Sequence, residues 1–330
     1  MIAARLPRWL ISGFVIGLFS LLPMRLCAQE PAWPARTVKV IVPSGPGGGV
    51  DVAARVFAEL WTREFGRPFI IENLPGAANV IGTVAAARAA PDGYTILHVS
   101  LSPIVLVPFM RKNLSYKVSD LAPVGQTMTT TNTLVVNPNK IDAKSLVELI
   151  QVLKANPDKY NYGSSGVGGF SHVIHELFML RTGARITHIP HKSPGDVTIA
   201  LLGGHLDLAF VSTTPILPHL KTGTLRALGV ATVQRLPELP DVPSIREIVP
   251  EFGGATTWNG LFVPAGTPRV IIDKLNRSVT AYLRSPQGAE AIAKMGASVA
   301  TSSPEEFAAF IKQEVDTWGK VIKSSGVSEN

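Results

Sequence analysis

The sequence is poor in cysteine: it has one in 330 residues, Cys27. That residue sits in an amino-terminal segment laid out for removal, so the mature chain is expected to carry no disulfide and no reactive thiol. Its stability in an oxidising compartment must then come from its apolar core alone. No apolar run is long enough to span a bilayer comfortably. The longest, Trp9 to Leu22, is closed by Pro23 and falls short of the roughly 20 residues a spanning helix needs. Arg5 and Arg8 precede it and Leu26-Cys27-Ala28 follows, which is the layout of a secretory signal peptide. Cleavage is expected after Ala28, with the mature chain starting near Gln29 in the periplasm; retention as an anchor is the alternative. Basic runs with interleaved aromatics are also missing, which argues against nucleic acid. Loss of Arg5, Arg8 and Arg25 takes the formal charge from +7 to +4, a mild balance that suits an anionic small molecule.

Catalytic and metal signatures are missing as well. There is no H-E-x-x-H, no cysteine pair and no His/Asp metal spacing, so neither metal nor cofactor is expected. Gly163-Ser164-Ser165-Gly166 is not the G-x-S-x-G elbow, because Val167 breaks it. His172 and His175 are three apart on a predicted helix and read as capping or packing residues. His188 and His191 flank Pro190; from a loop, His191 could donate to a carboxylate. A secreted hydrolase using Ser165 with His172 or His191 is the enzymatic alternative, and a non-enzyme is the expectation.

What the chain has is 46% hydrophobic residues, enough for one or two globular domains. One stretch organises it, Val38 to Ala58, VKVIVPSGPGGGVDVAARVFA. Val38, Val40, Ile41 and Val42 predict a strand. Pro43 and Gly45-Pro46-Gly47-Gly48-Gly49 stop it. Val52, Val56, Phe57 and Leu60 then recur at helical spacing. Glycines at a strand-to-helix junction leave backbone N–H groups bare, and such a helix start attracts anions. A tight turn with no ligand is the plainer alternative. The loop is neither a Walker A sequence nor GxGxxG, since Val50 stands where the last glycine would be. Asp51, in the first helical turn, can complement the helix dipole.

Strands and helices alternate through the rest, which predicts an α/β fold with mainly parallel sheets. Phe69 to Glu72 reads as a strand, Asn79 to Ala90 as a helix and Tyr94 to Val99 as a strand. The loops after Val42, Glu72 and Val99 should share one rim, at the carboxyl ends of the strands. A threonine run ending in Thr130 leads into an apolar strand and reads as a crossing segment. Ser145 and Glu148 form a capping box. Tyr160-Asn161-Tyr162 then feeds Gly163 to Gly169, and a helix from Phe170 to Arg181 ends at Gly183. The device of strand, small-residue loop and helix thus occurs twice. Two such loops can hold a ligand between them. Near the carboxyl end, Ser303-Pro304-Glu305-Glu306 starts a helix whose Phe307, Phe310, Ile311, Val315, Trp318 and Ile322 make a core-facing stripe.

In chain order, the blocks VKVIVPSGPGGGVDVAAR, IENLPGAANVIG, APDGYTIL, NYGSSGVGGFSH, HIPHKSPGD, LLGGHLDLAF and GLFVPAGTP together resemble the Bug family, the extracytoplasmic solute receptors of tripartite tricarboxylate transporters. The resemblance covers nearly the whole mature chain. It implies a type II periplasmic binding protein fold, two α/β lobes with a central cleft and a hinge. The first lobe would hold residues 29–130 and 256–330, the second residues 131–255. It further implies an organic carboxylate ligand gripped through main-chain amides and ordered water, membrane permease subunits as partners, and a monomer. A sensor of the same fold reporting to a signalling partner is the alternative. Carried onto this chain, the binding positions are Ser44, Gly45, Pro46, Gly47, Gly48, Gly49, Asp51, Asn79, Ser100, Ser102 and Thr130 on the first lobe. On the second they are Ser164, Ser165, Ser171, His172, His191 and Ser212. There are departures from the family pattern. Ser44-Gly45-Pro46 replaces Phe-Pro-Ala, Val50 replaces Thr, and His191 replaces Tyr. Val211-Ser212 replaces the Asp-Asn of many members, which argues against an α-amino acid.

Overall fold

A computed structural model describes Met1 and residues 33–325; Cys27 and the signal-like segment lie outside the described residues. Strand β1 (Val38–Val42) is buried at every position but Lys39. Side chains alternate across a strand. Val38, Val40 and Val42 join the cluster of Ala53, Ala54, Phe57 and Trp61, from helix α1 (Gly49–Phe65). Ile41 points the other way, into the cluster of Leu97 and Ala86. A strand covered on both faces reads as a continuous apolar run rather than an alternating one. Gly66, in the left-handed conformation, ends α1.

Strand β2 (Phe69–Asn73), helix α2 (Val80–Ala87) and strand β3 (Thr95–Ser100) follow. A π-type turn at Ser102–Leu106 then leads into the short helix α3 (Val107–Met110). Strand β4 (Leu121–Thr130) runs into β5 (Asn132–Val136) with only Thr131 between them. Next come α4 (Leu146–Ala155), β6 (Asn161–Ser164), α5 (Phe170–Thr182), β7 (Thr187–Pro190), α6 (Pro194–Leu202), β8 (Leu208–Ser212), α7 (Thr213–Lys221), β9 (Arg226–Val230) and α8 (Ile245–Ile248). Strand β10 (Thr257–Pro264), helices α9 (Arg269–Arg284) and α10 (Pro286–Lys294), β11 (Ser298–Val299) and α11 (Pro304–Ser325) complete the chain. Among the described residues no helix is long and apolar enough to cross a membrane.

The strands form two sheets, ordered β11-β4-β10-β3-β1-β2 and β7-β6-β8-β5-β9. Apart from β11, the order is one pattern used twice. β1 pairs in parallel with β2 and β3, as β6 does with β7 and β8. β10 then pairs antiparallel with β3 and β4, as β5 does with β8 and β9. The expectation of mainly parallel sheets is therefore corrected to mixed ones. β5 and β10 each arrive from the opposite sheet rather than through a helix crossover, so they enter against the direction of their neighbours. The two crossings lie side by side, because Ala231 N–H donates to Asn132 O at 2.9 Å and Ala255 N–H to Ala231 O at 2.7 Å.

Helix α11 starts as the sequence predicts. Glu306 N–H donates to Ser303 Oγ at 3.1 Å and Ser303 N–H to Glu306 Oε2 at 2.8 Å. Phe307, Ile311, Trp318 and Ile322 are buried, and Phe310 and Val315 pack against the same core. Trp318 meets Phe170 of α5 edge-on at 5.6 Å, so α11 touches elements of both sheets. The Ser145 start differs in detail from the predicted capping box. Glu148 N–H donates to Ser145 Oγ at 3.2 Å, but the Glu148 carboxylate takes Lys144 N–H, at 2.8 Å.

Candidate ligand-binding site

The loop after β1 is open to solvent from Gly45 through Gly49. Gly47 has φ +83°, a backbone region that side chains with a Cβ enter only at a cost. Gly48 is the helix N-cap, extended at φ −72° and ψ 159°, and no side chain caps the helix. The first turn of α1 thus presents main-chain N–H groups on exposed residues, the partial positive end of the helix.

Asp51 stands behind this loop, 1% exposed. Its Oδ2 accepts from Gly47 N–H and from Arg55 Nε, both at 2.9 Å. Its Oδ1 accepts from Arg55 Nη2 at 3.1 Å and Asn73 Nδ2 at 2.8 Å. Burial works against its charge, but the bonds from Arg55, Gly47 and Asn73 outweigh burial and hold the carboxyl below its usual range. A carboxylate has about four acceptor positions, and all are in use. Asp51, expected among the ligand contacts, is corrected to a brace, and the Arg55 charge beside it leaves the loop without a net negative field. Arg55 and Asn73 were missed from sequence; the i,i+4 spacing of Asp51 and Arg55 was the available signal. Ser44 belongs to the same support through its carbonyl, which accepts from Asn73 Nδ2 at 3.0 Å. Pro46 is exposed.

The loop after β2 has an unusual backbone. Gly76, Ala77, Ala78 and Asn79 have φ of +126°, +50°, +52° and +72°. For residues with a Cβ such a turn costs roughly 1–2 kcal/mol each, and only Asn79 is a type that tolerates it well. This starts α2 later than the sequence suggested, at Val80 instead of Asn79. Asn79 Nδ2 donates to Ser100 Oγ at 3.2 Å, which ties the second rim loop to the end of β3. Ser102 is buried in the π-type turn. Thr130, half-buried, ends β4 opposite Thr257.

The loop after β6 repeats the first one closely. Gly168 has φ +80°, and Gly169 is an uncapped N-cap at φ −70° and ψ 158°. Gly168 N–H donates to His172 Nδ1 at 3.3 Å, as Gly47 does to Asp51. With Nδ1 accepting, the proton of the neutral ring is on Nε2, which lies 3.7 Å from Glu176 Oε1. Burial pushes the His172 pKa down to about 4, which keeps the ring an acceptor at neutral pH. Beneath it is a stacked column. His172 lies on His188 at 4.3 Å, His188 on Tyr162 at 4.9 Å and Tyr162 on His175 at 4.0 Å. Phe210 N–H donates to His175 Nε2 at 3.1 Å, pinning α5 to β8.

Of the predicted serines, Ser165 and Ser171 come together: Ser165 N–H donates to Ser171 Oγ at 2.9 Å and the hydroxyls lie 3.0 Å apart. Ser164 is fully buried, its Oγ 2.6 Å from His188 Nε2, so it is corrected from ligand contact to loop support. His191 N–H donates to Ser164 O at 2.8 Å, which sets the HIPHKSPGD loop against the glycine–serine loop. Ser212, half-buried, ends β8. Among the described residues no group of three or more His, Cys, Asp or Glu side chains is placed to hold a metal ion. A separate open hollow of about 620 Å³, lined by Arg36, Lys39, Ile70, Glu72, Asp92 and Tyr94 among others, includes neither glycine loop. Its charges are paired internally, Arg36 with Asp92 at 3.0 Å and Lys39 with Glu72 at 2.7 Å.

The sequence model of the tripartite tricarboxylate transporter family receptor, TctC, matches residues 53–327. The chain belongs to the TctC family. Protein BugT of Bordetella pertussis is 37% identical over 316 residues, which are 94% of this chain and 96% of that protein. Rpa4515 of R. palustris, solved with adipate, is 30% identical with a TM-score of 0.82, over 90% of this chain and 99% of the other. MatC (Rpa3494) of Rhodopseudomonas palustris, solved with bound malate, is 29% identical with a TM-score of 0.79, over 88% and 99%. The chain shares the two-lobed fold of these periplasmic binding proteins, and the Bug resemblance read from its motifs is borne out.

Proposed function

We propose that this TctC-family chain is a periplasmic receptor that captures a small organic carboxylate between two lobes and hands it to the permease subunits of a tripartite tricarboxylate-type transporter. The observation that carries the reading is the repeated uncapped Gly-Gly helix start, Gly47-Gly48 and Gly168-Gly169, with matching dihedral angles. Each offers backbone donors to an anion, and relatives of the same fold hold adipate and malate. The lobes are residues 29–130 with 256–330, and residues 131–255. They move about the side-by-side crossings at Thr131 and Ala255, and closure shifts an open–closed equilibrium toward the ligand-bridged form. Removal of the leader near Ala28 frees the receptor, which works as a monomer.

The hydrogen bonding favours a receptor over a hydrolase. Ser165 Oγ pairs with Ser171, His172 spends Nδ1 on Gly168 N–H, and the Ser164–His188 contact is closed off by the burial of Ser164. No serine is thereby left both exposed and activated by an adjacent base. The test is titration calorimetry of the folded protein against a panel of dicarboxylates, tricarboxylates and aromatic acids. Saturable binding to at least one class is the expected result; a flat response across the panel would refute the reading.

A further inference from the structure

Four buried polar side-chain atoms that lack a hydrogen-bond partner lie on segments facing the proposed cleft: Ser44 Oγ, Asn132 Nδ2, Asn259 Oδ1 and His191 Nε2. Two of them occupy equivalent places in the repeated sheet pattern. Asn259, on β10, lies opposite Ser100, the last residue of β3. Asn132, on β5, lies opposite Ser212, the last residue of β8. Each asparagine is thus near the start of the strand that crosses from the other sheet, beside the carboxyl end of a parallel strand, where α/β sheets place their ligands. Asn132 is 6% and Asn259 5% exposed. An unpaired buried amide group costs about 1–3 kcal/mol, so two of them at matched positions need an account that a one-off packing defect does not give.

The two orphan atoms differ in what they require. Asn132 Nδ2 is a donor and is satisfied by any ligand oxygen. Asn259 Oδ1 is an acceptor, and an ionised carboxylate has no proton to give it. An ammonium would seek a carboxylate instead, and the Asp51 oxygens are already in use. We infer that Asn259 and Asn132 are specificity residues that select a hydroxylated carboxylate, the ligand hydroxyl donating to Asn259 Oδ1 and a ligand oxygen accepting from Asn132 Nδ2. The inference rests on the carboxylate-receptor reading and adds the ligand class to it.

The test is calorimetry on the full mature chain with pairs of acids that differ by one hydroxyl: succinate and malate, glutarate and 2-hydroxyglutarate, adipate and 3-hydroxyadipate, with aspartate as the amino arm. In the best-fitting pair the hydroxy acid should bind at least tenfold more tightly. Asn259→Ala should bring that ratio below about threefold while leaving the unsubstituted acid within threefold of its original affinity. Asn132→Ala should weaken both members of the pair alike. Should either variant fail to fold, the other still reads its own arm, since the two lie in different sheets. Tight binding of an unsubstituted acid with no hydroxyl preference, a preference that survives Asn259→Ala, or aspartate binding above malate would overturn the inference and leave the receptor standing. Binding of no acid at all would remove the receptor reading, and this inference with it.

Discussion

Asp51 and His172 perform one task in two places: each accepts the N–H of a left-handed glycine four residues before it, Gly47 for Asp51 and Gly168 for His172. Each fixes a glycine loop at the start of a helix while keeping the next glycine, Gly48 or Gly169, free of a side-chain cap. The two braces differ chemically. Asp51 is charged and neutralised by Arg55, whereas His172 is held neutral by burial. Both solutions avoid an uncompensated charge beside a site meant for an anion.

Gly48→Asp tests the anion role of the first loop. Gly48 is exposed, its φ of −72° suits any residue, and the nearest atom to an added Cβ is Gly45 O at 3.8 Å. The variant should therefore fold with a stability within about 0.5 kcal/mol of the parent, as surface substitutions do. Aspartate is itself a good N-cap, so its carboxylate would occupy the amides offered to the ligand. Carboxylate affinity should fall well beyond tenfold, which is about 1.4 kcal/mol. An affinity within tenfold, measured by calorimetry, would exclude this loop from anion binding.

Asp51→Asn separates bracing from contact. The amide keeps the shape but loses the ion pair with Arg55 and turns one acceptor into a donor toward Gly47 or Asn73. Hydrogen bonds to charged groups contribute about 1.5–3 kcal/mol, and Arg55 is half exposed, so a loss of about 1–2 kcal/mol in unfolding stability is expected. Because no Asp51 oxygen is free, the loss of affinity should be the same for every carboxylate in a panel. A variant that changed the ranking of ligands would place Asp51 in direct contact with them.

Gly82→Ala probes how α2 is seated. A Cβ at Gly82 would lie 2.7 Å from Pro43 Cβ and 2.9 Å from Pro43 Cα. Pro43 is backbone-rigid and leads directly into the glycine loop, so the strain cannot be absorbed by a flexible side chain. Overpacking of this kind costs about 1–3 kcal/mol and should also displace the Gly76–Asn79 turn. A urea midpoint equal to that of the parent would show that the helix start yields freely.

The main elements were legible in the sequence because their signals are local. The β1–loop–α1 unit, the Ser303/Glu306 cap and the Phe307-to-Ile322 stripe all follow from short-range periodicity and capping chemistry. The antiparallel pairing of β5 and β10 was not legible, since it depends on which sheet a distant segment joins. The support for the loops was missed for a similar reason. Asp51 and Ser164 look like rim residues in a motif, and only the fold brings Asn73 and His188 to them. Asn132 and Asn259 carry no motif at all; their equivalence appears only once the two strand registers are compared.

Stability should fall on mild acidification. Burial holds the pKa values of His98 and His172 down to about 4, that of His175 to about 3 and that of His188 to about 4. In the unfolded chain each returns to near 6.5. Between these values the unfolded state binds the extra proton, so unfolding free energy rises with pH across the window from about 4 to 6.5. For each of the fully buried rings, His98 and His175, the loss from pH 7 to pH 5 is about 2 kcal/mol. Glu176 and Glu314 partly oppose it, because burial raises their pKa values and lets the folded state take up protons above the usual carboxylate range. Four imidazoles against two carboxyls leave a net fall. His98 links the network to the first loop. Its Nδ1 lies 3.0 Å from Val50 O, in the first turn of α1, and its Nε2 3.1 Å from Thr127 Oγ1. Urea unfolding at pH 7, 6 and 5 should show a midpoint that drops at each step, and His98→Gln, which retains a donor and an acceptor, should flatten part of the slope. A midpoint independent of pH over this range would mean that these rings titrate alike in the folded and unfolded chain.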